Sequence, residues 1–543
     1  MKFSFKNKAA AYVPALAAAA VLSLSSCSDS FLDRDPNGYQ ITEDQLNEAM
    51  KWNTKVMLGE MQGISTNLIQ WRAGGTTDQD DFGQKSVDIA TDIMAGDIVY
   101  PYENTYGWFR DDCRLSSADL NGRQAQTNWY YYYKVINSAN FVLGTAGSDV
   151  VEPENAQNKL YFAQAKTARG FAYYKLATLY SKGYDLEKDK KRLPVYREQS
   201  STYAAPQTID SVYRQAIFDF TGAIKAYENA AAAGVSQSGI DQPSIAVAYT
   251  LLAYTYLDMG RYAEAEDAAA KGIAAAEKAG KRILKKSELY NGFNSVSTPD
   301  WMWGMDITAE NTGGLCTFWG MMDLFTYSYT FAGDFKVMNQ DLFLSMGDND
   351  ARAKWFYGFN EAGGQPAAKL LMPINKFYSA SGAAAAGRDA TTGTVNLYAY
   401  DDKGNPKSYN GGGDRNWESD IHFMRIEEPY MIAAEAAARQ GKLGEARTYL
   451  GAILAERDAD AAAAIQTMSQ ADLLEEIYKN WRVEFWGEGK ALQTIKRFKK
   501  SATRPANDYY NSIGTVNYDD DRFTFAVPNS ELSTNPLMKD VDK

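Results

Sequence analysis

Histidine is almost missing from this chain: 543 residues contain only His422. Cysteine is scarce too, at Cys27, Cys113 and Cys316. No His/Cys cluster for zinc can be assembled from that set, so neither a metal nor any other cofactor is expected. A Ser-His-Asp or Cys-His mechanism would have to run through His422, and a lone histidine is more often structural. Positive charge is also short. The formal net charge is −12, and no basic stripe interleaves with aromatics, so nucleic acid is excluded as a partner. Beyond the N-terminus no run of 18 apolar residues occurs, so nothing else in the chain is expected to span a bilayer.

What the chain has in quantity is aromatics: 36 Tyr, 24 Phe and 11 Trp. Most rings in any protein are core. Some of these, however, fall in stretches without helical periodicity, where a ring can face solvent.

The N-terminus reads as an address. Lys2, Lys6 and Lys8 form a charged region, and residues 9–24 are apolar and Ala-rich. Leu24-Ser25-Ser26-Cys27 then resembles a bacterial lipobox, with lipidation at Cys27 and cleavage before it. The apolar run is shorter than the ~20 residues needed to cross a membrane. Residues 1–26 are therefore a lipoprotein signal peptide, and the polar Ser28-Asp29-Ser30 resembles a surface-export signal. In that compartment Cys113 and Cys316 are permitted either a disulfide or free thiols.

Helical periodicity dominates the rest. Helices are expected over 42–72 (with Thr42 and Gln45 as a capping box), 127–143, 154–180 and 208–232. Residues 244–276 fit a tetratricopeptide hairpin turning at Gly260, and 425–457 fit a second turning at Gly441. Residues 468–499 are helical again. By contrast, 74–114 reads as a loop excursion, 193–194 as an extended link and 523–537 as short strand and turn. Between the hairpins lies a Gly-rich stretch, 290–419, that carries Trp301, Trp303, Trp319, Trp355 and Trp417. Trp301 and Trp303 alternate about Met302 like a core strand. Long loops of this kind usually carry function. The reading is a mainly α fold: one domain over 27–543, its helical scaffold at 42–283 and 421–500, and a variable loop-rich region with short strands at 284–420.

Several motifs resemble the SusD/RagB family of outer-membrane nutrient-uptake lipoproteins. The opening 27–36 looks like its mature start. Ala139, Asn140 and Val142 fit its xxANxV helix. Residues 165–176 are similar to AEAxxLRAFxYFxL, with Lys166 and Gly170 departing from the commonest residues. Residues 425–436 resemble RxxEVYLxxAEA through Arg425, Glu428, Tyr430 and Glu435. Arg482, Glu484, Glu488 and Gly489, followed by 495–498, resemble RRxELxFEGxRxxDLxRW, with Gln493-Thr494 where an Asp is common. Residues 525–536 are similar to FPIPxxELxxNP. The resemblance implies a SusD-like fold without catalysis, anchored on the outer membrane at the cell surface by its lipid. It also implies capture of oligosaccharide, or of peptide in RagB-like members, for delivery to a SusC-like TonB-dependent transporter.

Glu484 and Glu488 admit two readings: a carboxylate pair for glycoside hydrolysis, or members of a buried or half-buried ion-pair network with Arg482 and Arg497 between helices. Their periodic helical setting favours the second, because a buried carboxylate needs a partner. A glycan binder wants flat rings for the C–H face of a sugar and amides for its hydroxyl rim. Two stretches have that makeup. One offers Tyr102, Asn104, Tyr106 and Trp108. The other offers Asn311, Phe318 and Trp319.

Acylation at Cys27 is expected to hold the mature protein on the outer membrane. Fractionation of Cys27→Ala cells should find the protein in the soluble fraction. If it stays in the detergent-extractable membrane fraction, the lipobox reading is wrong.

Overall fold

A computed structural model describes residues 54–356, 370–379 and 415–541, apart from Gly147 and Ser238. The expected signal peptide, Cys27 and the expected Thr42/Gln45 cap lie outside these residues. Residues 57–543 form one unit.

Helices of eight residues or more are α1 (Thr54–Asn67), α2 (Gln84–Ala95), α3 (Arg123–Thr145), α4 (Ala156–Leu179), α5 (Ile209–Ala232), α6 (Ile245–Asp258), α7 (Tyr262–Lys278), α8 (Glu427–Arg439), α9 (Leu443–Arg457), α10 (Gln470–Glu484) and α11 (Ala491–Phe498). Polar caps start several of them. Asn155 accepts from the Gln157 and Asn158 amides. Thr208, Ser244 and Ser469 each accept from the amide three residues on.

Both expected hairpins form, α6–α7 and α8–α9. Gly260 and Gly441 make their turns at φ +73° and +76°, where a side chain would be strained. Small residues set their spacing. Ala265, Ala268, Ala269 and Ala276 of α7 are buried, and α7 packs on both α6 and α8. That contact joins the two hairpins into one scaffold. α4 packs on α3 and more extensively on α5. The two departures from the family pattern within 165–176 lie on the α4–α5 contact. Gly170 lets the buried Phe220 ring sit where a Cβ would be 2.7 Å away. Lys166 ion-pairs with Asp219 at 3.3 Å.

Among the described residues strands occur only as two-stranded pairs. β1 (Ile98–Val99) pairs with β5 (Val337–Met338), and β2 (Lys191–Pro194), the expected extended link, with β3 (Pro206–Thr208). β4 (Trp301–Met305) runs antiparallel to β6 (Ile421–Arg425), setting Trp301 opposite Arg425. Trp301 and Trp303 are buried there, as their alternation suggested.

Three expectations are corrected. The stretch 74–114 is not only loop: it contains α2, whose twelve residues are all buried. With Gln84, Lys85, Asp88 and Asp92 inside, no polar face marks the helix in the sequence. The helix expected over 468–499 is two, α10 and α11. Between them Gly487 and Gly489 adopt φ +78° and +72°, and the Asp92 carboxylate accepts the amides of Gly487, Gly489 and Ala491. The tail is a single 3-10 turn, Asp521–Phe523, then a short helix, Asn529–Thr534, rather than strand.

Gly170→Ala is expected to destabilise the protein although Ala is the better helix former by ~1 kcal/mol. Overpacking against Phe220 costs ~1–3 kcal/mol, so thermal melting should shift down. An upward shift would mean that the α4–α5 contact is looser than described.

Candidate functional site

The two glutamates with a catalytic alternative sit at the centre of the fold. Glu484 is fully buried and Glu488 is 2% exposed. Arg425, at the end of β6, donates to Glu488 at 2.9 and 3.0 Å, to Glu484 Oε1 at 3.2 Å and to Asp300 at 3.2 Å. Arg457 and Arg352 also bond Glu484, Arg457 bonds Glu427 at 2.9 Å and Lys376 pairs with Glu488 at 2.8 Å. Burial pushes the Glu484 carboxyl up, but Arg457, Arg425 and Arg352 outweigh it and hold it below the usual carboxylate range. Glu488 is likewise held well below by Arg425, Lys376 and His422, against burial. Both are ionised, paired and out of reach of a substrate. A general acid needs the opposite, a raised pKa and access. Arg482 and Arg497 belong to neighbouring pairs, with Asp97 and with Glu435.

His422 is buried in the same cluster, its Nε2 2.9 Å from Glu488. Burial and the nearby Lys85 charge lower its pKa to about 3. It is neutral at physiological pH, with Nε2–H donating to the carboxylate. No group of three or more His, Cys, Asp or Glu among the described residues is arranged to hold a metal ion. Cys113 and Cys316 are buried free thiols.

The sequence-derived ligand candidates separate. Tyr102 and Tyr106 are each 47% exposed. Tyr106 meets Tyr329 edge-on at 4.9 Å, and the half-buried Trp108 meets the same ring at 6.1 Å. Tyr102 packs against Phe335 at 6.3 Å. Asn104 is fully buried and holds the loop: its Oδ1 accepts the Gly107 amide at 2.7 Å and its Nδ2 donates to the Trp108 carbonyl. Arg110 closes the loop onto the Asn104 carbonyl at 2.8 Å. So Asn104 presents the rings and is not itself open to a ligand.

The second stretch is mostly interior. Trp319 is fully buried, its indole N–H donating to the Ser419 carbonyl at 2.7 Å. Phe318 is 2% exposed and packs edge-on against Phe377. Asn311 lines a different depression, beside Gln62 and Asp241. Its amide is used locally, on Asp306 and Thr308.

Sequence reasoning passed over the rings that complete the exposed cluster. Tyr327 is 42% exposed and two residues from Tyr329. The Trp417 indole N–H donates to the Tyr327 carbonyl at 3.1 Å, and the Arg415 guanidinium lies 4.6 Å over the Tyr327 ring. Thr312 donates to the Trp417 carbonyl at 3.2 Å. Loops 102–110, 312–314, 327–335 and 415–417 are thereby tied together. The run of rings at Phe325, Tyr327, Tyr329 and Phe331 was the available signal.

A helical-hairpin scaffold that buries its acid pair and presents rings on loops is built to bind. Residues 279–539 match the family model described as the SusD family, and residues 48–257 match one described as starch-binding associating with outer membrane. Among solved structures, the chain is similar to a SusD-like carbohydrate binding protein from Bacteroides vulgatus. The identity is 21% and the TM-score 0.68, covering 90% of this chain and 98% of that one. A SusD superfamily protein from Bacteroides thetaiotaomicron aligns at 19% identity and TM-score 0.65, over 90% and 99% of the two chains. One from Bacteroides fragilis aligns at 19% and 0.64, over 91% and 99%. Comparison with curated proteins finds no match. The chain belongs to the SusD/RagB family.

Within the buried cluster His422, Glu484 and Glu488 share one sign, whereas Asp300 and Glu427, whose carboxyls burial pushes up, have the opposite one. His422 is harder to protonate folded (about 3) than unfolded (6.5). Its contribution is complete above pH 6.5 and is lost as pH falls toward 3. Glu484 and Glu488 are depressed below their ordinary 4.5, so their contribution is lost below that pH. As pH drops, the melting curve should lose the His422 contribution below 6.5 and that of the two glutamates below 4.5, a slope set against the opposite drift of Asp300 and Glu427. His422→Gln should flatten the upper part of that slope. An unchanged slope in this variant would show that His422 is not the group titrating.

Proposed function

We propose that this protein captures oligosaccharide at the cell surface, held on the outer membrane by the lipid on Cys27, and passes it to a SusC-like TonB-dependent transporter. It does so without cleaving the glycan. The observation that carries the binding reading is the ring surface of Tyr106 and Trp108, backed by the buried Tyr329 and extended through Tyr327 and Trp417. Rings on loops fixed to a rigid scaffold suit the apolar face of a sugar, and Arg415 beside them, with Gln79, whose Oε1 accepts the Tyr329 hydroxyl, suits its hydroxyls. The family description as starch-binding and outer-membrane-associated supports this reading. So does the name of the Bacteroides vulgatus neighbour. No helix of the described residues is long and apolar enough to cross a membrane, and a lipid at Cys27 supplies the attachment instead. Transfer to a transporter rests on the family resemblance.

A ring that covers one sugar face buries on the order of 60–100 Å², worth roughly 1.5–2.5 kcal/mol at ~25 cal/mol per Å². Trp108→Ala and Tyr106→Ala should each weaken binding about 10- to 70-fold with melting nearly unchanged. Trp319→Ala should do the reverse, costing ~3–5 kcal/mol of stability as a core truncation. Calorimetry against soluble starch, pullulan, xyloglucan and galactomannan, with melting on the same samples, reads both effects. Binding indifferent to Trp108 and Tyr106 would place the glycan elsewhere. Binding of casein peptides with none of the glycans would make the ligand peptide. Steady release of reducing ends would make the protein an enzyme.

A further inference from the structure

Away from the ring surface, the loop-side end of the first hairpin closes over a cavity of about 380 Å³, within the range of small-molecule sites. Its walls come from α5, the α6–α7 turn, α11 and the segment 183–185. Three features of the lining define what it can hold.

First, its charges are largely matched. Asp258 pairs with Arg497, Asp185 with Lys499, and Arg439 with Glu435 behind the wall. Lys496 has no carboxylate partner among the described residues, but its amine is turned onto the carbonyls of Thr178 and Ser181 and burial lowers its pKa to about 7. Little charge is left to recognise an ion or a zwitterion. Second, two neutral hydrogen-bonding groups are unused. Tyr213 is 1% exposed and lines the cavity, yet its hydroxyl bonds no described residue. The Gln493 amide lines the same space and is equally unpartnered. An apolar guest would leave both unsatisfied at a cost. Third, rings make up much of the remaining surface, beside Leu257 and Met259: Tyr184 stands edge-on to Tyr213 at 5.3 Å, and Tyr262 and Phe498 line the same space.

Neutral, small, hydroxyl-rich on one side and apolar on the other is the chemistry of a single sugar ring. We propose that this cavity is a second ligand site, one that takes a neutral monosaccharide unit, with Tyr213 and Gln493 as its hydrogen-bonding groups. It stands independently of the ring surface around Trp108, since no residue is shared. Gln493 sits where the family motif commonly has an Asp nearby, and a neutral amide there matches a neutral guest.

The test uses the mature chain and four probes: the methyl glycosides of D-glucose, D-galactose, D-mannose and L-fucose. Ligand-observed NMR and calorimetry read binding. At least one probe is expected to bind, and Tyr213→Phe, which keeps the ring and removes only the hydroxyl, should weaken it about tenfold. Gln493→Ala should weaken it in the same direction, and Trp108→Ala should leave it unchanged. If Tyr213→Phe does not fold, the partly exposed Gln493 decides alone. The proposal is overturned if no probe binds or if Tyr213→Phe binds like the parent chain. Loss of binding only in Trp108→Ala also overturns it, because the sugar then occupies the ring surface. Uridine binding as tightly as the best sugar, with the same Tyr213 dependence, overturns the ligand class.

Discussion

A guanidinium removed from water has five N–H donors to satisfy inside the protein. Arg425 satisfies all of them with Glu488 (twice), the carboxylate and the carbonyl of Glu484, and Asp300. Those acceptors come from the strand side of the molecule and from the break between α10 and α11. Arg352, Lys376 and Arg457 bring in residues 350–356, residues 370–376 and α9. Four cations thus face the carboxylates of Asp300, Asp350, Glu427, Glu484 and Glu488. The one excess negative charge bears on Asp300 and Glu427, the two carboxyls of the cluster that burial pushes above their ordinary pKa. Every charge in the cluster has an oppositely charged partner. That is the condition under which so many charges can stay buried, because a single unpaired one costs several kcal/mol.

This constraint explains the broken helix. In a continuous helix the Glu484 carbonyl would accept the Glu488 amide; at the break that amide bonds the Phe485 carbonyl at 3.0 Å and the Glu484 carbonyl accepts from Arg425 and Lys376 instead. The turn at 485–490 exists because Gly487 and Gly489 accept positive φ and close contacts. A Cβ on Gly489 would lie 2.4 Å from Asp88. Asp92 then collects the amides that the turn leaves without helical partners. The same turn places the Trp486 indole against the Asp97 carbonyl at 2.7 Å. With the centre held so tightly, the loops between β4 and β6 have a rigid base and can carry rings outward without distorting the core.

How much of this the sequence shows depends on whether the signal is local. The hairpins are local: alanine stripes and Gly260 or Gly441 say helix, turn, helix, and both were legible. α2 was not, because a helix buried on every side has no polar face and its Asp and Lys residues read as loop. The ring surface was half legible. The stretch around Tyr106 and the stretch around Trp319 look alike in composition, each with rings, glycine and amides. What separates them is long-range. Trp319 is drawn inside by a carbonyl 100 residues away, at Ser419, whereas Tyr106 leans on Tyr329 and keeps its outer edge in water. Trp417 was visible as a tryptophan but became part of the surface only through its bond to Tyr327.

The acid pair shows why residue type and spacing are weak evidence for chemistry. Glu484 and Glu488 have the composition of a glycosidase pair and none of its setting. Catalysis by two carboxylates needs their pKa values pushed apart, one proton held near neutral pH, and a substrate between them. Here three arginines and a lysine press both values down together, and protein fills the space around them. Stability alone is a poor reason to keep such a cluster, since apolar residues of the same volume often do as well. Its geometry offers another reason. Hydrophobic contacts tolerate sliding, but five directed bonds from Arg425 are satisfied at one register of β6 against the α10–α11 turn. That register sets where the loops leave the core, and so which rings reach the surface together.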